Sequence, residues 1–391
     1  MSTEITALIL GSVAAYFAVG FLQLRTAVKM KRETRLRRFP KKDFFVSVII
    51  PVREVFSTTG RNLESVCRQA YPRHEVIFVA ELGEHPAFKV VRNLEKRYPH
   101  VHVHLSGPHD SRKTIAKCHN LIHGARQARG NVLLFGDSDV TYSRDWIQKM
   151  VSPLGEVVKG RKIHAVTSPF FIEPQGLTGR FIALSVSLTT FTTSLSSRAF
   201  LFPPYASGAS VAIPKKTYDV LGMEGIWGRT FNDDLVLANT LLDSGYHIYN
   251  QFTNLNHPNE AFPSLKKTRE KILRWIITVS RFGHRRLREK VPVLVAKNIQ
   301  FQVVLVLSFV LFMLGFSWVF ALLLLVLGYA LSVLYRVLIG MVIEERNLGP
   351  CYLLTPLSTT AMIIVYLYVR TFLRTFPWGS GKYTVKERYP G

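Results

Sequence analysis

Short runs rich in β-branched residues alternate with helical stretches between residues 44 and 150. This alternation restricts the possible folds of the chain more than any other feature of the sequence. Strands are predicted over 46–51, 76–80, 101–105 and 132–136, and helices over 62–70, 86–98 and 114–129. Such an alternation predicts an α/β domain around a mainly parallel sheet. Ligands of such sheets bind beyond the carboxyl ends of the strands, so polar residues that follow a strand are the first site candidates.

Apolar segments of membrane-spanning length flank this domain. Residues 5–24 form an uncharged stretch of 20 residues, which is long enough to cross a bilayer as a helix. Three further candidates are 301–316, 319–335 and 351–368. The expected parts of the chain are an N-terminal transmembrane anchor at 1–24, a basic linker at 25–42, an α/β domain at 43–263, basic amphipathic helices at 264–296, C-terminal transmembrane segments at 297–370 and a tail at 371–391.

Basic residues dominate the charge of the chain and concentrate beside the apolar segments. The 391 residues include 50 Lys and Arg against 26 Asp and Glu, a formal net charge of +24. Nine basic residues in the linker follow the first apolar segment directly, which predicts an integral membrane protein with the next domain on the cytoplasmic side. Ten more within 266–290 are interleaved with large apolar residues, as in a helix on a membrane surface. Both regions favour an anionic membrane surface as partner.

Two carboxylates follow the fourth predicted strand. Asp137 and Asp139 are separated by one residue, so in an extended segment both face the same way. Two carboxylates on one face form a hard oxygen site for Mg²⁺ or Mn²⁺, and phosphate oxygens of a substrate complete the octahedral shell of such an ion. This pair therefore predicts a metal-assisted phosphate site.

A second acidic pair, Asp233 and Asp234, opens a predicted helix that Asn232 caps and Gly245 ends. Acidic residues at a helix start often do no more than interact with the helix dipole. Two consecutive carboxylates before an apolar face can also direct one of them into a cleft, which makes Asp234 the candidate general base.

A basic and aromatic pair, Arg274 and Trp275, lies within the amphipathic region. The planar guanidinium of Arg274 can neutralise a phosphate, and the indole of Trp275 can stack on a sugar. Such pairs are also common at membrane interfaces without any catalytic role. Together with the acidic pairs, they predict an enzyme that acts on a charged phosphate substrate at a membrane surface.

These motifs and their order resemble family 2 glycosyltransferases, most closely the ceramide glucosyltransferase branch, over nearly the whole chain. The matching segments are 47–52, 113–121, 136–139, 207–210, 233–235 and 271–275. The resemblance implies that residues 43–263 form an α/β domain with the GT-A (nucleotide-diphospho-sugar transferase) fold, joined to α-helical transmembrane segments. It also implies one N-terminal anchor, a C-terminal cluster of spans and a cytosolic active site.

The resemblance implies a role for each matching side chain. Asp139 is expected to bind Mg²⁺ or Mn²⁺, and Asp234 is expected to be the catalytic base. The implied donor-binding residues are Glu81, Lys117, Asp137, Arg274 and Trp275, and the acceptor-side or supporting residues are Gly208, Asp233 and Lys271. Two positions depart from the family pattern, because Glu81 replaces an aspartate and Lys271 replaces a glutamine or arginine.

The implied reaction is inverting transfer of a hexose from a UDP-sugar donor to a hydroxyl group of a membrane lipid acceptor, such as ceramide. A processive polysaccharide synthase uses the same motifs, and a glycosidase also pairs carboxylates. A non-enzymatic protein that binds membranes or nucleic acid would account for the charge. A module that binds nucleic acid would leave the four apolar segments unexplained, so no nucleic-acid partner is expected.

Overall fold

A computed structural model of the chain describes the α/β domain and parts of the C-terminal region. The described residues are 38–53, 55, 57–169, 206–251, 257–258, 300–313, 315, 317–343, 375–378 and 381–384, with isolated helical positions at 11, 14, 18, 21, 22, 25, 28, 29, 32, 273, 274, 278, 353, 364 and 368. The predicted roles of Lys271 and Trp275 lie outside these described residues.

The described elements begin with the α/β pattern that the sequence predicts. The strands are β1 (Val46–Val52), β2 (His74–Ala80), β3 (Val101–Leu105), β4 (Val132–Gly136), β5 (Val140–Thr141), β6 (Val157–Val158), β7 (Arg161–Lys162), β8 (Ala165–Thr167), β9 (Ser210–Pro214), β10 (Ile248–Asn250), β11 (His257–Pro258), β12 (Thr375–Trp378) and β13 (Gly381–Thr384). The helices are α1 (Thr59–Cys67), α2 (Pro86–Arg97), α3 (Ala116–Gln127), α4 (Trp146–Val151), α5 (Lys215–Val220), α6 (Met223–Trp227), α7 (Asp234–Asp243), α8 (Gln300–Met313) and α9 (Trp318–Ile343).

Seven strands form one mixed sheet in the order β10–β8–β9–β4–β1–β2–β3. Strands β4, β1, β2 and β3 are parallel, as the alternation predicted. Strand β9 is antiparallel to both of its neighbours, β4 and β8. In this register Ser210, the first residue of β9, pairs with Gly136, the last residue of β4. The turn that precedes β9 therefore lies at the carboxyl end of β4.

Both faces of the sheet are covered, which is why β1 has apolar residues at consecutive positions from Val48 to Val52. Val48 and Ile50 belong to one core cluster together with Leu63 of α1. Ile49 points to the other face and belongs to a second cluster, which includes residues of α3. A strand that is buried on both sides needs apolar residues at consecutive positions, not at alternate ones. A Cβ atom at Gly124 would lie 2.5 Å from Cγ2 of Ile49, so the glycine lets α3 pack closely on the sheet.

Helices α8 and α9 carry large apolar side chains that are exposed, among them Phe309, Trp318 and Leu323. Helix α9 continues beyond residue 335, where the sequence predicts the end of an apolar span. Among the residues that the structure describes in full, no helix is both long enough and apolar enough to cross a membrane. The transmembrane segments therefore stay a prediction from the sequence.

Candidate active site

The first acidic pair lies directly after β4, as predicted, but Ser138 and Asp139 form a turn and not the predicted extended segment. The backbone N–H of Asp137 donates a hydrogen bond to Oη of Tyr142 over 2.8 Å, and this hydroxyl donates to the carbonyl of Ala209 over 2.8 Å. The Tyr142 ring stacks on Trp146 with 3.9 Å between ring centroids. This buried tyrosine thus ties the acidic pair, Asp137 and Asp139, to the turn that precedes β9.

Lys117 connects the two acidic pairs. Its Nζ atom lies 2.7 Å from Oδ1 of Asp137 and 2.8 Å from Oδ2 of Asp233. Burial lowers the pKa of Lys117, but the charges of Asp137, Asp233 and Asp234 outweigh burial and hold the pKa well above its ordinary value. The lysine is therefore cationic at neutral pH and holds the end of β4 against the start of α7.

The second acidic pair opens α7, which begins at Asp234 and is followed by Gly245 at a φ of +76°. The N-cap residue is Asp233 and not Asn232 as predicted, although the side chain of Asn232 accepts a hydrogen bond from the N–H of Leu235 in the first turn over 2.8 Å. Oδ1 of Asp234 also accepts from the N–H of Leu235 over 2.7 Å, and Oδ2 accepts from the N–H of Gly208 over 3.3 Å. These contacts hold the Asp234 carboxylate beside the turn before β9.

The turn at position 208 passes very close to charged groups, so a side chain there would crowd the site. A Cβ atom there would lie 2.8 Å from Oδ2 of Asp233, 2.9 Å from Nζ of Lys117 and 3.4 Å from Cβ of Asp234. Contacts below 3.0 Å force a neighbour to move. Gly208 therefore lets the backbone approach both the lysine bridge and the candidate base.

The carboxylates of the site are buried and lie close together, and both effects raise their affinity for protons. Burial and the charge of Asp233 raise the pKa of Asp234 to about 6, although Lys117 acts in the opposite direction. Burial, offset in part by Lys117 and reinforced by Asp139, raises the pKa of Asp137 to about 6. Strongly perturbed carboxylates in a cleft are typical of functional sites.

The donor set fits a hard divalent cation. The groups at the end of β4 are the carboxylates of Asp137 and Asp139, and oxygen ligands are those that Mg²⁺ and Mn²⁺ prefer. Burial is the main cause of the raised pKa of Asp137, and the charge of the nearby Asp139 adds to it. Within the described part of the chain, no three acidic, histidine or cysteine side chains group into a metal centre. A cation here would complete its shell with substrate oxygens, as Mg²⁺ commonly does.

Glu81 lies at the end of β2, next to β1 in the sheet, and pairs with His109. Oε1 of Glu81 lies 2.7 Å from Nδ1 of His109 and accepts the backbone N–H of His109 over 3.4 Å. Burial raises the pKa of Glu81, but the hydrogen bonds and charge of His109, with a contribution from Arg53, outweigh burial and lower the pKa. The glutamate is therefore ionised at neutral pH.

Most of the predicted site residues converge. The structure groups Lys117, Asp137, Asp139, Gly208, Asp233 and Asp234 at the carboxyl end of β4. Arg274 is described as a half-buried residue in a helical turn, and its predicted contact with a phosphate stays a prediction. Sequence reasoning missed Tyr142 and His109. A tyrosine five residues after Asp137 was a weak signal, and nothing distinguished His109 among 12 histidines.

Acidic side chains at the carboxyl ends of parallel strands, beside a carboxylate with a perturbed pKa, are typical of the ligand-binding site of an α/β enzyme. Residues 10–389 match the profile of glycosyl transferase family 21. The chain belongs to this family.

The curated relatives confirm the resemblance to ceramide glucosyltransferases. Ceramide glucosyltransferase 1 of Caenorhabditis elegans is 26% identical over 201 residues, which cover 51% of this chain and 42% of the relative. Ceramide glucosyltransferase 3 of the same organism is 23% identical over 235 residues, which cover 59% of this chain and 50% of the relative. The chain thus matches about half the length of these two relatives.

Two solved structures are similar to this chain at low identity. A mannosyltransferase, PcManGT from Pyrobaculum calidifontis, in complex with GDP-Man and Mn²⁺, gives a TM-score of 0.49 at 15% identity and covers 94% of this chain and 99% of that chain. GalNAc-T7 with UDP, GalNAc and Mn²⁺ gives a TM-score of 0.41 at 16% identity and covers 61% of this chain and 48% of that chain. The family assignment rests on the sequence match over residues 10–389.

Proposed function

We propose that this protein is a membrane-bound inverting glycosyltransferase that moves a hexose from a UDP-sugar to a hydroxyl group of a membrane lipid. The observation that carries the proposal is the position of Asp234. Its carboxylate, with a pKa raised to about 6, adjoins the Gly208 turn and is linked through Asp233 and Lys117 to the carboxylates that follow β4. Family membership supports the transferase class, and the ceramide glucosyltransferase relatives support a lipid acceptor.

The donor binds along the carboxyl ends of β2 and β4 in this proposal. Glu81 contacts the base, and Asp137 contacts the ribose. Lys117 lies between the acidic pairs, so its charge holds Asp137 in place and lowers the net negative charge that meets a diphosphate. Arg274 and Trp275 contribute a cation and a ring at the sugar and phosphate, and Lys271 supports them.

Asp139, next to Asp137, is the proposed ligand for Mg²⁺ or Mn²⁺. When bound, the ion offsets the negative charge that develops on the leaving diphosphate. The position of two carboxylates, Asp137 and Asp139, directly after β4 supports this assignment, because hard cations prefer oxygen ligands.

Asp234 acts as the general base. At neutral pH its carboxylate is largely ionised and takes the proton from the acceptor hydroxyl as that oxygen bonds to the anomeric carbon. The bond from the anomeric carbon to the diphosphate breaks in the same displacement, and UDP leaves with the electron pair. One displacement from the opposite face converts an α-linked donor into a β-glycoside. A pKa near the working pH favours such a base, which typically contributes about 10²–10⁴-fold.

The protein is proposed to be integral to the membrane, with its α/β domain on the cytoplasmic side. The basic linker after residue 24 supports this orientation. The exposed apolar side chains of α8 and α9 support contact with lipid. The basic stretch at 266–290 would then attract an anionic membrane surface and bring the domain to its lipid acceptor.

Membranes that contain the full chain test the proposal. They are incubated with radiolabelled UDP-sugars, one at a time, and with extracted native lipids, in Mn²⁺, in Mg²⁺ or in EDTA. One labelled lipid that forms only with a divalent cation is the expected result. Label in a high-mass polymer would indicate a synthase, and no labelled lipid with any donor would overturn the proposal.

Asp139→Asn examines the metal assignment in the same membranes. This change removes a carboxylate charge with little change in volume, and the expected result is loss of cation-dependent transfer. Asp145→Asn is the matched control, because Asp145 is a carboxylate near the site that pairs with Lys149. The control variant should keep wild-type transfer.

A further inference from the structure

His109 makes a close contact with Glu81, and the proposed reaction gives His109 no role. Both side chains are only 12% exposed, and the imidazole Nδ1 lies 2.7 Å from Oε1 of the glutamate. His109 also offers its backbone N–H to this same oxygen over 3.4 Å. One residue thus provides two donors to one carboxylate oxygen.

The other oxygen of Glu81, Oε2, keeps its capacity to accept. Both contacts from His109 go to Oε1, so neither of them occupies Oε2. A glutamate has one more rotatable bond than the aspartate of the family pattern, so it loses more rotamer freedom when it is fixed. The two contacts from His109 hold the glutamate side chain in one conformation and leave its other oxygen to accept a hydrogen bond from a ligand.

The surroundings of the pair keep it in place. The ring of His109 lies 6.2 Å from the ring of His119 on α3, and His119 contacts the carbonyl of Ser106 over 3.1 Å. The side chain of Ser106 donates to Asn120 over 2.7 Å. This network connects the segment that follows β3 to α3, the helix that carries Lys117.

We propose that His109 is a positioning residue that fixes Glu81 as an acceptor for a ring N–H of the nucleotide base and so selects uracil over cytosine. The inference rests on the proposed function, which places the base at Glu81. An ionised carboxylate can only accept hydrogen bonds. Uracil presents a ring N–H at its pairing edge, whereas cytosine presents an unprotonated nitrogen at the same position, which a carboxylate repels.

The pair of nucleotides UDP and CDP isolates this effect, because the two are nearly equal in size and differ at that edge. The full chain in membranes is assayed with the UDP-sugar that it transfers, and UDP and CDP are added as competing inhibitors. The variants are His109→Ala, which removes the imidazole donor, and His109→Asn, whose side-chain amide can replace Nδ1. His123→Gln on α3 is the matched control, because His123 lies near His104 and not near Glu81.

The expected result for His109→Ala is a KM for the UDP-sugar about tenfold higher, with a smaller change in kcat, since a hydrogen bond to a charged group is lost. The preference for UDP over CDP should shrink by about the same factor. His109→Asn should recover most of both losses, and His123→Gln should match the wild type.

Two results would contradict the inference while the proposed function stands. One is a His109→Ala enzyme that transfers sugar with the wild-type preference for UDP over CDP. The other is an equal weakening of both nucleotides, which indicates a general structural defect. Wild-type membranes that transfer sugar from no UDP-sugar would overturn the proposed function itself, and this inference with it.

Discussion

The backbone N–H of Gly208 donates a hydrogen bond to Oδ2 of Asp234 over 3.3 Å, so the turn before β9 directly contacts the candidate base. The turn reaches this position because β9 is antiparallel to β4 and starts opposite its last residue. The short turn before β9 therefore lies between the carboxylates that follow β4 and the candidate base at the start of α7.

Gly208→Ala should lower kcat by about 10- to 100-fold with little loss of folded protein. The added methyl would lie within 3.0 Å of both Asp233 and Lys117, so the bridge between the acidic pairs must shift. Misplacement of catalytic groups by about 1 Å commonly costs on the order of 10²-fold. Steady-state transfer and circular dichroism measure the two effects.

Gly225→Ala is the control for this substitution. Gly225 lies in α6, and a Cβ atom there would meet nothing within 4 Å. This variant should keep wild-type kcat. Equal losses in the two variants would show that the effect at Gly208 is not specific to the site.

Tyr142→Phe should weaken donor binding several-fold. The change keeps the ring that stacks on Trp146 but removes the hydroxyl that joins Asp137 to Ala209. The N–H of Asp137 then loses a buried acceptor, a loss that costs about 1–3 kcal/mol. The KM for the donor measures the effect. Tyr98→Phe, which removes a hydroxyl that donates to Glu64, should leave this KM unchanged.

The pH dependence of kcat should show an acid limb near pH 6. Burial and Asp233 raise the pKa of Asp234 to about 6, and the base works only in its ionised form. The rate should therefore fall about tenfold for each pH unit below 6. An acid limb near pH 4, the range of an ordinary aspartate, would contradict the assignment. Single-turnover transfer in buffers from pH 4.5 to 8 measures the limb.

Asp234→Asn should stabilise the folded protein at neutral pH. The folded-state pKa of Asp234 is about 6, above the ordinary 3.8, so the stabilising effect of its proton is present below pH 3.8 and is lost as pH rises through 6. At pH 7.5 the buried charge then costs roughly 1–3 kcal/mol, which an amide avoids. Thermal unfolding should show a Tm a few degrees higher for the variant at pH 7.5, and the gap should close as pH falls below 6.

Strands β1, β2 and β4 were predictable from the sequence because burial on both faces imposes consecutive apolar residues. Strands β3 and β4 have the predicted bounds, and β1 and β2 differ only at their ends. The antiparallel direction of β9 was not predictable. Its partner β4 lies far upstream, and no local pattern in 210–214 distinguishes a parallel neighbour from an antiparallel one.

The acidic pairs of the site were also predictable from the sequence, because Asp137 follows a predicted strand and Asp234 lies at the start of a predicted helix. Their mutual position was not, since it depends on how α3 carries Lys117 over the end of β4. The raised pKa values have the same origin, because burial and the approach of Asp233 to Asp234 arise only from tertiary packing. Long-range contacts of single side chains, such as Tyr142 with Ala209, leave no periodic signal in the sequence.

The central claim is that Asp234 is the base of a sugar transfer, and one paired measurement tests it most directly. Asp234→Asn in membranes is assayed for sugar transfer to lipid and for binding of the UDP-sugar, beside Asp243→Asn, which changes an exposed carboxylate at the other end of α7. Transfer should fall by about 10²–10⁴-fold in Asp234→Asn, with donor binding close to wild type and Asp243→Asn fully active. Retained transfer in Asp234→Asn would contradict the account.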